Sequence, residues 1–105
     1  IELARLLAEL TPPQFRHVFF TGSGSEANDT LVRMVRRYWQ LRGEPQRDVI
    51  IGRWNGYHGS TMAGASLGGM KPMHAQGGLP IPGIVHVGQP YWFECGGDLG
   101  PEEFG

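Results

Sequence analysis

The chain has 105 residues and a formal net charge of −1, from nine Lys and Arg against ten Asp and Glu. This balance disfavours nucleic acid and anionic membrane surfaces as partners, because both are bound through an excess of basic residues. Cys95 is the one cysteine and forms no internal disulfide, and no apolar run approaches the length of a membrane span, so we expect a cytoplasmic protein.

Both ends of the chain have the pattern of interrupted elements. The chain opens inside an amphipathic helix pattern that Pro12 and Pro13 stop. It closes on residues 101–104, PEEF, whose proline and paired carboxylates are typical of a helix start. We therefore expect residues 1–105 to be an excerpt of a longer protein, amounting to one domain or part of one.

A short strand and a long helix are predicted next. Residues 18–20 form a β-rich run. From Ser25 to Leu41 apolar residues recur every three or four positions, and Gly43 followed by Pro45 marks a helix end. The arginines of this segment fall on the opposite face, which we expect to be solvated.

Two further strands and a small helix complete the predicted order. Residues 49–51 are a continuous apolar run, as expected of a strand covered on both faces. The small residues 60–67 predict a short helix packed closely on the sheet, and residues 84–87 alternate as a third strand. Residues 71–82 and 89–99 are expected to be loop. Strands separated by helices predict an α/β fold with a parallel sheet and right-handed connections.

A glycine and serine corner lies where the first predicted strand meets the long helix. Backbone N–H groups and the positive end of the helix dipole bind a phosphate or carboxylate there without a basic side chain. Gly22 and Gly24 allow close approach of the backbone, and the hydroxyls of Ser23 and Ser25 can donate to an anionic oxygen. A capping box also fits this corner, with the Glu26 side chain accepting a hydrogen bond from the N–H of Ser23. The corner would then be only a helix cap, and the protein would be a non-catalytic α/β interaction module.

The same corner is compatible with a dinucleotide-binding fold. Residues 22–27 match the spacing G-x-G-x-x-A, but the acid that should bind the ribose is replaced by Gly52 and Arg53 after the second strand. Arg53 could serve a 2′-phosphate, so an NADP-binding, Rossmann-like oxidoreductase module stays open. A P-loop is excluded because no lysine follows the glycines.

An aromatic loop, WNGYHG at residues 54–59, follows the second strand and so reaches the same sheet edge as the glycine corner. Tyr57 is the candidate to stack on a flat ligand, with His58 as a neighbour, hydrogen-bond partner or proton carrier. The alternative is that Tyr57 fills the core beneath the loop.

The other histidines and the single lysine give no sign of a reactive site. His17, His74 and His86 are scattered without the spacing of metal ligands, so we expect structural roles and no metal site. Lys71 lies in a stretch rich in glycine and proline, and we expect it to be exposed or ion-paired.

Three stretches in this order resemble the class III pyridoxal-phosphate-dependent aminotransferases, and among them the ω-transaminases. They are residues 21–29 (TGSGSEAND), 54–61 (WNGYHGST) and 65–70 (ASLGGM). The resemblance runs through essentially the whole chain. It implies a fold type I large domain, with a mostly parallel sheet and flanking helices, of which residues 1–105 are the N-terminal part.

The family resemblance also implies roles for individual residues. Ser23, Gly24 and Ser25 would bind the phosphate of pyridoxal 5′-phosphate, Tyr57 would stack on its pyridine ring, and His58 would lie near it. Gly22 departs from the asparagine often found at that position.

The implied activity is transfer of an amino group between a small amine or ω-amino acid and a keto acid, by a homodimer. The family's Schiff-base lysine and the aspartate that pairs with the pyridine nitrogen would lie beyond Gly105. No catalytic residue is therefore expected within residues 1–105, and the isolated chain is expected to be inactive.

Overall fold

A computed structural model of the chain describes residues 1–104. Across that range it has six helices and two strands, in the order α1 (Glu2–Leu10), α2 (Gly24–Leu41), β1 (Ile50–Arg53), α3 (Met62–Leu67), α4 (Lys71–His74), β2 (Ile84–Val87), α5 (Trp92–Cys95) and α6 (Pro101–Phe104). None of these helices is both long and apolar enough to cross a membrane.

The two strands pair in parallel, with Ile50 opposite Ile84 and Arg53 opposite Val87. The connection between them contains α3, which packs against both strands and against α2. The buried core joins these elements through Val32 of α2, Leu67 of α3 and Ile84 of β2. The predicted α/β class with a parallel sheet is thus confirmed.

Close packing of α3 on the sheet depends on a glycine in β1. Gly52 is buried, and a Cβ atom at this position would overlap the carbonyl oxygen of Leu67 and lie 3.0 Å from Cδ2 of His86. The backbone at the end of α3 can therefore lie directly on the strand. The predicted close packing of this helix on the sheet is confirmed, and the glycine of β1 that allows it was not singled out in the sequence.

The long helix α2 begins and ends as its sequence predicts. Ser23 is the N-cap, and its side chain accepts a hydrogen bond from the backbone of Glu26. At the other end Gly43 adopts a φ of 77°, and the N–H of Glu44 donates to the carbonyl of Trp39, which closes the helix in a Schellman motif.

The predicted strand at residues 18–20 is wrong. No strand is assigned to this run, and Phe19 and Phe20 are 73% and 56% exposed. A strand needs a neighbour for its backbone N–H and C=O groups, and nothing within residues 1–104 pairs with this run. The β propensity of its residues is therefore not enough to form a strand.

The prediction that residues 49–51 are covered on both faces is also wrong. The strand begins at Ile50, and Ile51 on its outer face is 65% exposed. Val85 and Val87 lie on the same open face, because α3 covers only the inner one. Apolar composition predicted the strand here, but whether a second layer covers it depends on distant contacts.

The two predicted loops each contain one turn of helix, α4 at Lys71–His74 and α5 at Trp92–Cys95. A helix of four residues is too short to show the periodicity from which helices are recognised in a sequence. The remaining residues of both segments are irregular, as expected.

Candidate functional site

The glycine and serine corner and the aromatic loop line one cavity of about 380 Å³. Its lining residues are Gly24, Ser25, Asn28, Tyr57, His58 and Gly59. The corner is the start of α2 and the loop follows β1, so the predicted meeting of these two stretches is confirmed, although no strand precedes the corner within residues 1–104.

A larger cavity, of about 520 Å³, lies along the polar face of α2 and contains none of the predicted site residues. Its lining includes Arg33, Arg36, Arg37 and Asp48. Both charge signs occur there. The prediction that the arginines are solvated is wrong for Arg36, which is half-buried and donates from Nη2 to the carbonyl of Pro82 at 2.7 Å. The smaller cavity is the candidate site because it brings the amides at the start of α2 together with an aromatic side chain.

The first turn of α2 is capped by its own side chains and still leaves two amides free. Ser23 Oγ accepts from the N–H of Glu26 at 3.2 Å, and Glu26 Oε2 accepts from the N–H of Gly22 at 2.8 Å. The capping-box alternative is therefore partly right, with the carboxylate bonded to Gly22 instead of Ser23. Within residues 1–104 the N–H groups of Gly24 and Ser25 have no protein acceptor. A cap and an anion site can thus coexist at this helix start.

Space and a hydroxyl accompany the two free amides. A Cβ atom at Gly24 would meet nothing within 4 Å, so the backbone there is open to a ligand. Ser25 Oγ accepts a hydrogen bond from the N–H of Ser60 at 3.2 Å. Because an accepting hydroxyl keeps its own proton, Ser25 can still donate to a ligand oxygen. Ser23 does not line the cavity, and its hydroxyl is used as the cap.

Two polar residues of α2 hold the aromatic loop and the start of α3 in place. Asn28 Nδ2 donates to the carbonyl oxygen of His58 at 2.6 Å. Asp29 Oδ1 accepts from Thr61 Oγ1 at 2.6 Å and from the N–H of Gly64 at 3.2 Å, at the start of α3. The sequence pattern did not single out Asn28 or Asp29, although their spacing of three and four from Ser25 places all three on one helix face.

The loop also approaches α2 through a glycine. Gly59 is buried with a φ of 123°, and a Cβ atom there would overlap Ser25 Oγ and lie 2.9 Å from Ser25 Cα. Such a backbone conformation and such a close contact are both accessible to glycine only. The position of Ser25 relative to the loop is therefore fixed by direct contact with the backbone of Gly59.

Tyr57 is 65% exposed and forms one wall of the cavity. The alternative in which it fills the core beneath the loop is wrong. The His58 side chain is exposed beside it, and no hydrogen bond of the imidazole is found within the described part of the chain. The ligand-binding roles of Ser23, Gly24, Ser25, Tyr57 and His58 remain predictions.

The remaining predicted positions lie away from this cavity. Lys71 is exposed at the start of α4, as expected. His74 and His86 are not scattered but meet beside Trp54, with centroid distances of 5.0 Å between the two imidazoles and 4.7 Å between His86 and the indole. No group of three or more potential metal-binding side chains occurs in residues 1–104.

The chain is similar to proteins of one enzyme family over nearly its whole length. A family model for class III aminotransferases matches residues 1–95. A putrescine–pyruvate aminotransferase of Pseudomonas aeruginosa is 66% identical over 105 residues, which cover 100% of this chain and 23% of that protein.

Solved structures give the same result. An (S)-enantioselective omega-transaminase from Thermomicrobium roseum has a TM-score of 0.90 and 40% identity, and the match covers 98% of this chain and 23% of that chain. An aminotransferase from Vibrio fluvialis in a PMP-bound form has a TM-score of 0.89 and 41% identity, with the same coverage of 98% and 23%.

The chain thus spans less than a quarter of the length of these relatives. The matched region nonetheless includes both walls of the cavity, the start of α2 and the Tyr57 loop. These relatives are aminotransferases, so they give no support to the NADP-binding alternative for the glycine corner.

Proposed function

The chain belongs to the class III aminotransferases, and from that premise we propose that residues 1–105 are the N-terminal part of the cofactor-binding large domain of an enzyme that transfers amino groups. Class III aminotransferases are pyridoxal-phosphate-dependent. The whole enzyme would move an amino group between a small amine or ω-amino acid and a keto acid.

One observation carries this proposal: two free backbone N–H groups at the start of α2 open onto a cavity whose other wall is the Tyr57 ring. Pyridoxal phosphate has an anionic phosphate and a flat aromatic ring. The amides and the helix dipole suit the phosphate, and the tyrosine suits the ring. The residues present therefore fit the cofactor.

We assign each residue of this site a separate task. The N–H groups of Gly24 and Ser25 and the Ser25 hydroxyl bind the phosphate, while Ser23 holds the first turn of α2 in shape. Tyr57 orients the ring, and His58 lies beside it. When bound, pyridoxal phosphate supplies an aldehyde and an electron-withdrawing ring, chemistry that no side chain of this segment has.

The identity of 66% to a putrescine–pyruvate aminotransferase favours a small aliphatic diamine as donor and pyruvate as acceptor. We also propose that the enzyme is a homodimer, on the basis of the family resemblance. A cytoplasmic location is proposed because the single cysteine is free and exposed, as suits a reducing compartment.

The activity is tested with the full-length protein. Loaded with pyridoxal phosphate, it is expected to form alanine from pyruvate when putrescine is the donor, and none when the amine is left out. The product is measured by chromatography. The 105-residue chain alone, under the same conditions, is expected to form no alanine. Full-length protein that binds the cofactor but transfers no amino group from any amine or ω-amino acid would contradict the proposed activity.

The two walls of the cavity are expected to respond differently to the cofactor phosphate. In the full-length apoenzyme, Ser25→Ala should weaken pyridoxal phosphate binding about tenfold, since a hydrogen bond to a charged group contributes about 1.5 kcal/mol or more. It should leave the binding of pyridoxal, which has no phosphate, unchanged. Tyr57→Ala should weaken both ligands about tenfold, because ring stacking contributes about 0.5–1.5 kcal/mol beyond buried area.

Fluorescence titration of the apoenzyme with each ligand provides the measurement. Ser23→Ala is the matched control, because it also removes a serine hydroxyl. Its effect is expected on stability instead of binding: the free energy of unfolding should fall by about 1 kcal/mol, as for other N-caps. Equal losses of pyridoxal and pyridoxal phosphate binding in Ser25→Ala would show that this serine does not bind the phosphate.

A further inference from the structure

Two histidines bind one backbone oxygen behind the Tyr57 loop. Nε2 of His74, at the end of α4, lies 2.7 Å from the carbonyl oxygen of Gly68. Nε2 of His86, in β2, lies 2.9 Å from the same oxygen. A carbonyl oxygen has two lone pairs and accepts both bonds only when each imidazole has a proton on Nε2. The contact therefore requires the Nε2–H form of both rings.

An indole completes this cluster. The Trp54 ring stacks on His86 with an interplanar angle of 28°, and His74 meets His86 edge-on at 62°. Trp54 directly follows β1, and its N–H donates to the carbonyl of Val87 at 3.0 Å. We call Trp54, His74, His86 and the Gly68 carbonyl the Gly68 clamp. None of these residues lines the cofactor cavity.

Apart from Trp54, which belongs to both, the clamp is joined to the Tyr57 loop by backbone contacts. The N–H of Gly69 donates to the carbonyl of Gly56 at 2.9 Å, and the N–H of Asn55 donates to the carbonyl of Gly69 at 3.1 Å. A Cβ atom at Gly69 would overlap the carbonyl oxygen of Arg53, so the backbone of Gly69 lies directly against the backbone of the segment that begins at Arg53, with no side chain between them. A shift of Gly68 is thus passed directly to Gly56, the residue before Tyr57.

We propose that His74 and His86 are positioning residues for Tyr57. By holding the Gly68 carbonyl from two sides, they keep residues 68–69 in contact with residues 55–56, and so set where the Tyr57 ring stands in the cavity. The inference rests on the proposed function for the identity of the ring that Tyr57 faces. It adds to that function two residues that act without touching the cofactor.

A purely structural role for the two histidines makes a different prediction. Their Nε2 atoms also lie near the carbonyls of Ala65 and Leu67, at 3.1 and 3.3 Å, in the last turn of α3. If they only cap this helix, their loss lowers stability but does not act through Tyr57. A double-mutant cycle with Tyr57 separates the two roles, since only coupled residues depart from additivity.

The test uses the full-length apoenzyme and pyridoxal phosphate. His86→Leu removes the donor and is expected to weaken binding three- to fivefold, with a changed circular dichroism of the bound cofactor, which reports ring orientation. The same substitution in a Tyr57→Ala background is expected to cause no further loss. His86→Gln, which keeps an amide donor, is expected to bind within twofold of the unsubstituted enzyme. His74→Leu and His74→Gln give the second pair.

His17→Leu is the control, because His17 is exposed and has no hydrogen bond within the described part of the chain. Independently of any cofactor, nitrogen-15 NMR of the unsubstituted protein is expected to show His74 and His86 both protonated on Nε2. If either ring is protonated on Nδ1 alone, it cannot donate from Nε2 to the Gly68 carbonyl, and the described hydrogen bonds of the clamp are wrong. An undiminished effect of both leucine variants in the Tyr57→Ala background overturns the positioning role. Failure to bind pyridoxal phosphate at all would refute the proposed function while leaving the NMR test of the clamp intact.

Discussion

Gly59→Ala is expected to weaken pyridoxal phosphate binding by the full-length apoenzyme at least 100-fold. Gly59 has a φ of 123°, which costs a residue with a side chain roughly 1–3 kcal/mol. The new methyl group would also overlap Ser25 Oγ and lie 2.9 Å from Ser25 Cα. Relief of that overlap has to move Ser25, whose N–H and hydroxyl are assigned to the phosphate. The backbone strain and the displacement of Ser25 act on the same site. Together they are expected to cost about 2.8 kcal/mol of binding free energy, which corresponds to a 100-fold loss of affinity.

Titration of the apoenzyme with pyridoxal phosphate, together with denaturant unfolding of the same samples, measures this loss. Gly88→Ala is the matched control, because Gly88 has no positive φ and no atom within 4 Å of an added Cβ. It should bind within twofold of the unsubstituted enzyme. If Gly59→Ala bound the cofactor equally well, the loop backbone and the start of α2 could not be in the contact described.

Asp29→Ala is expected to lower the free energy of unfolding of the full-length enzyme by about 3 kcal/mol. The carboxylate accepts from Thr61 Oγ1 and from the N–H of Gly64, and hydrogen bonds to a charged group contribute about 1.5–3 kcal/mol each. The expected sum is reduced because the N–H of Gly64 keeps a second acceptor, Thr61 Oγ1, at 3.3 Å. Loss of this contact frees the start of α3 from α2.

Denaturant unfolding at constant m-value gives the change in free energy. Asp29→Asn retains an acceptor oxygen and should lose less than half as much as Asp29→Ala. Asp98→Ala removes an exposed carboxylate without a hydrogen bond in residues 1–104 and should change stability by less than about 0.5 kcal/mol. A loss for Asp29→Ala no larger than for Asp98→Ala would mean that the contact with Thr61 does not stabilise the fold.

The features predicted correctly from the sequence are mostly local. The cap at Ser23 joins residues three positions apart, and the apolar repeat that predicted the helix α2 has the same local spacing. The end of α2 at Gly43 is equally local. The meeting of the glycine corner with the Tyr57 loop is long-range. Its prediction rests on the rule that ligand sites of parallel sheets lie at the carboxyl ends of the strands, and in the structure only the loop follows a strand.

Only the tertiary structure decided the rest. Whether residues 18–20 pair as a strand, and whether Ile51 is covered, depends on neighbours that a short run of sequence does not specify. The contacts of Asn28 with the loop and of Asp29 with Thr61 join residues 30 and 32 positions apart.

The convergence of His74 and His86 on one oxygen likewise follows from the packing of α4 against β2 and α3. Hydrogen bonds within one helical turn form wherever the chain becomes helical, so their partners can be read from spacing. A bond between distant segments exists only once the fold has brought its two atoms within about 3 Å, and no spacing in the sequence encodes that distance.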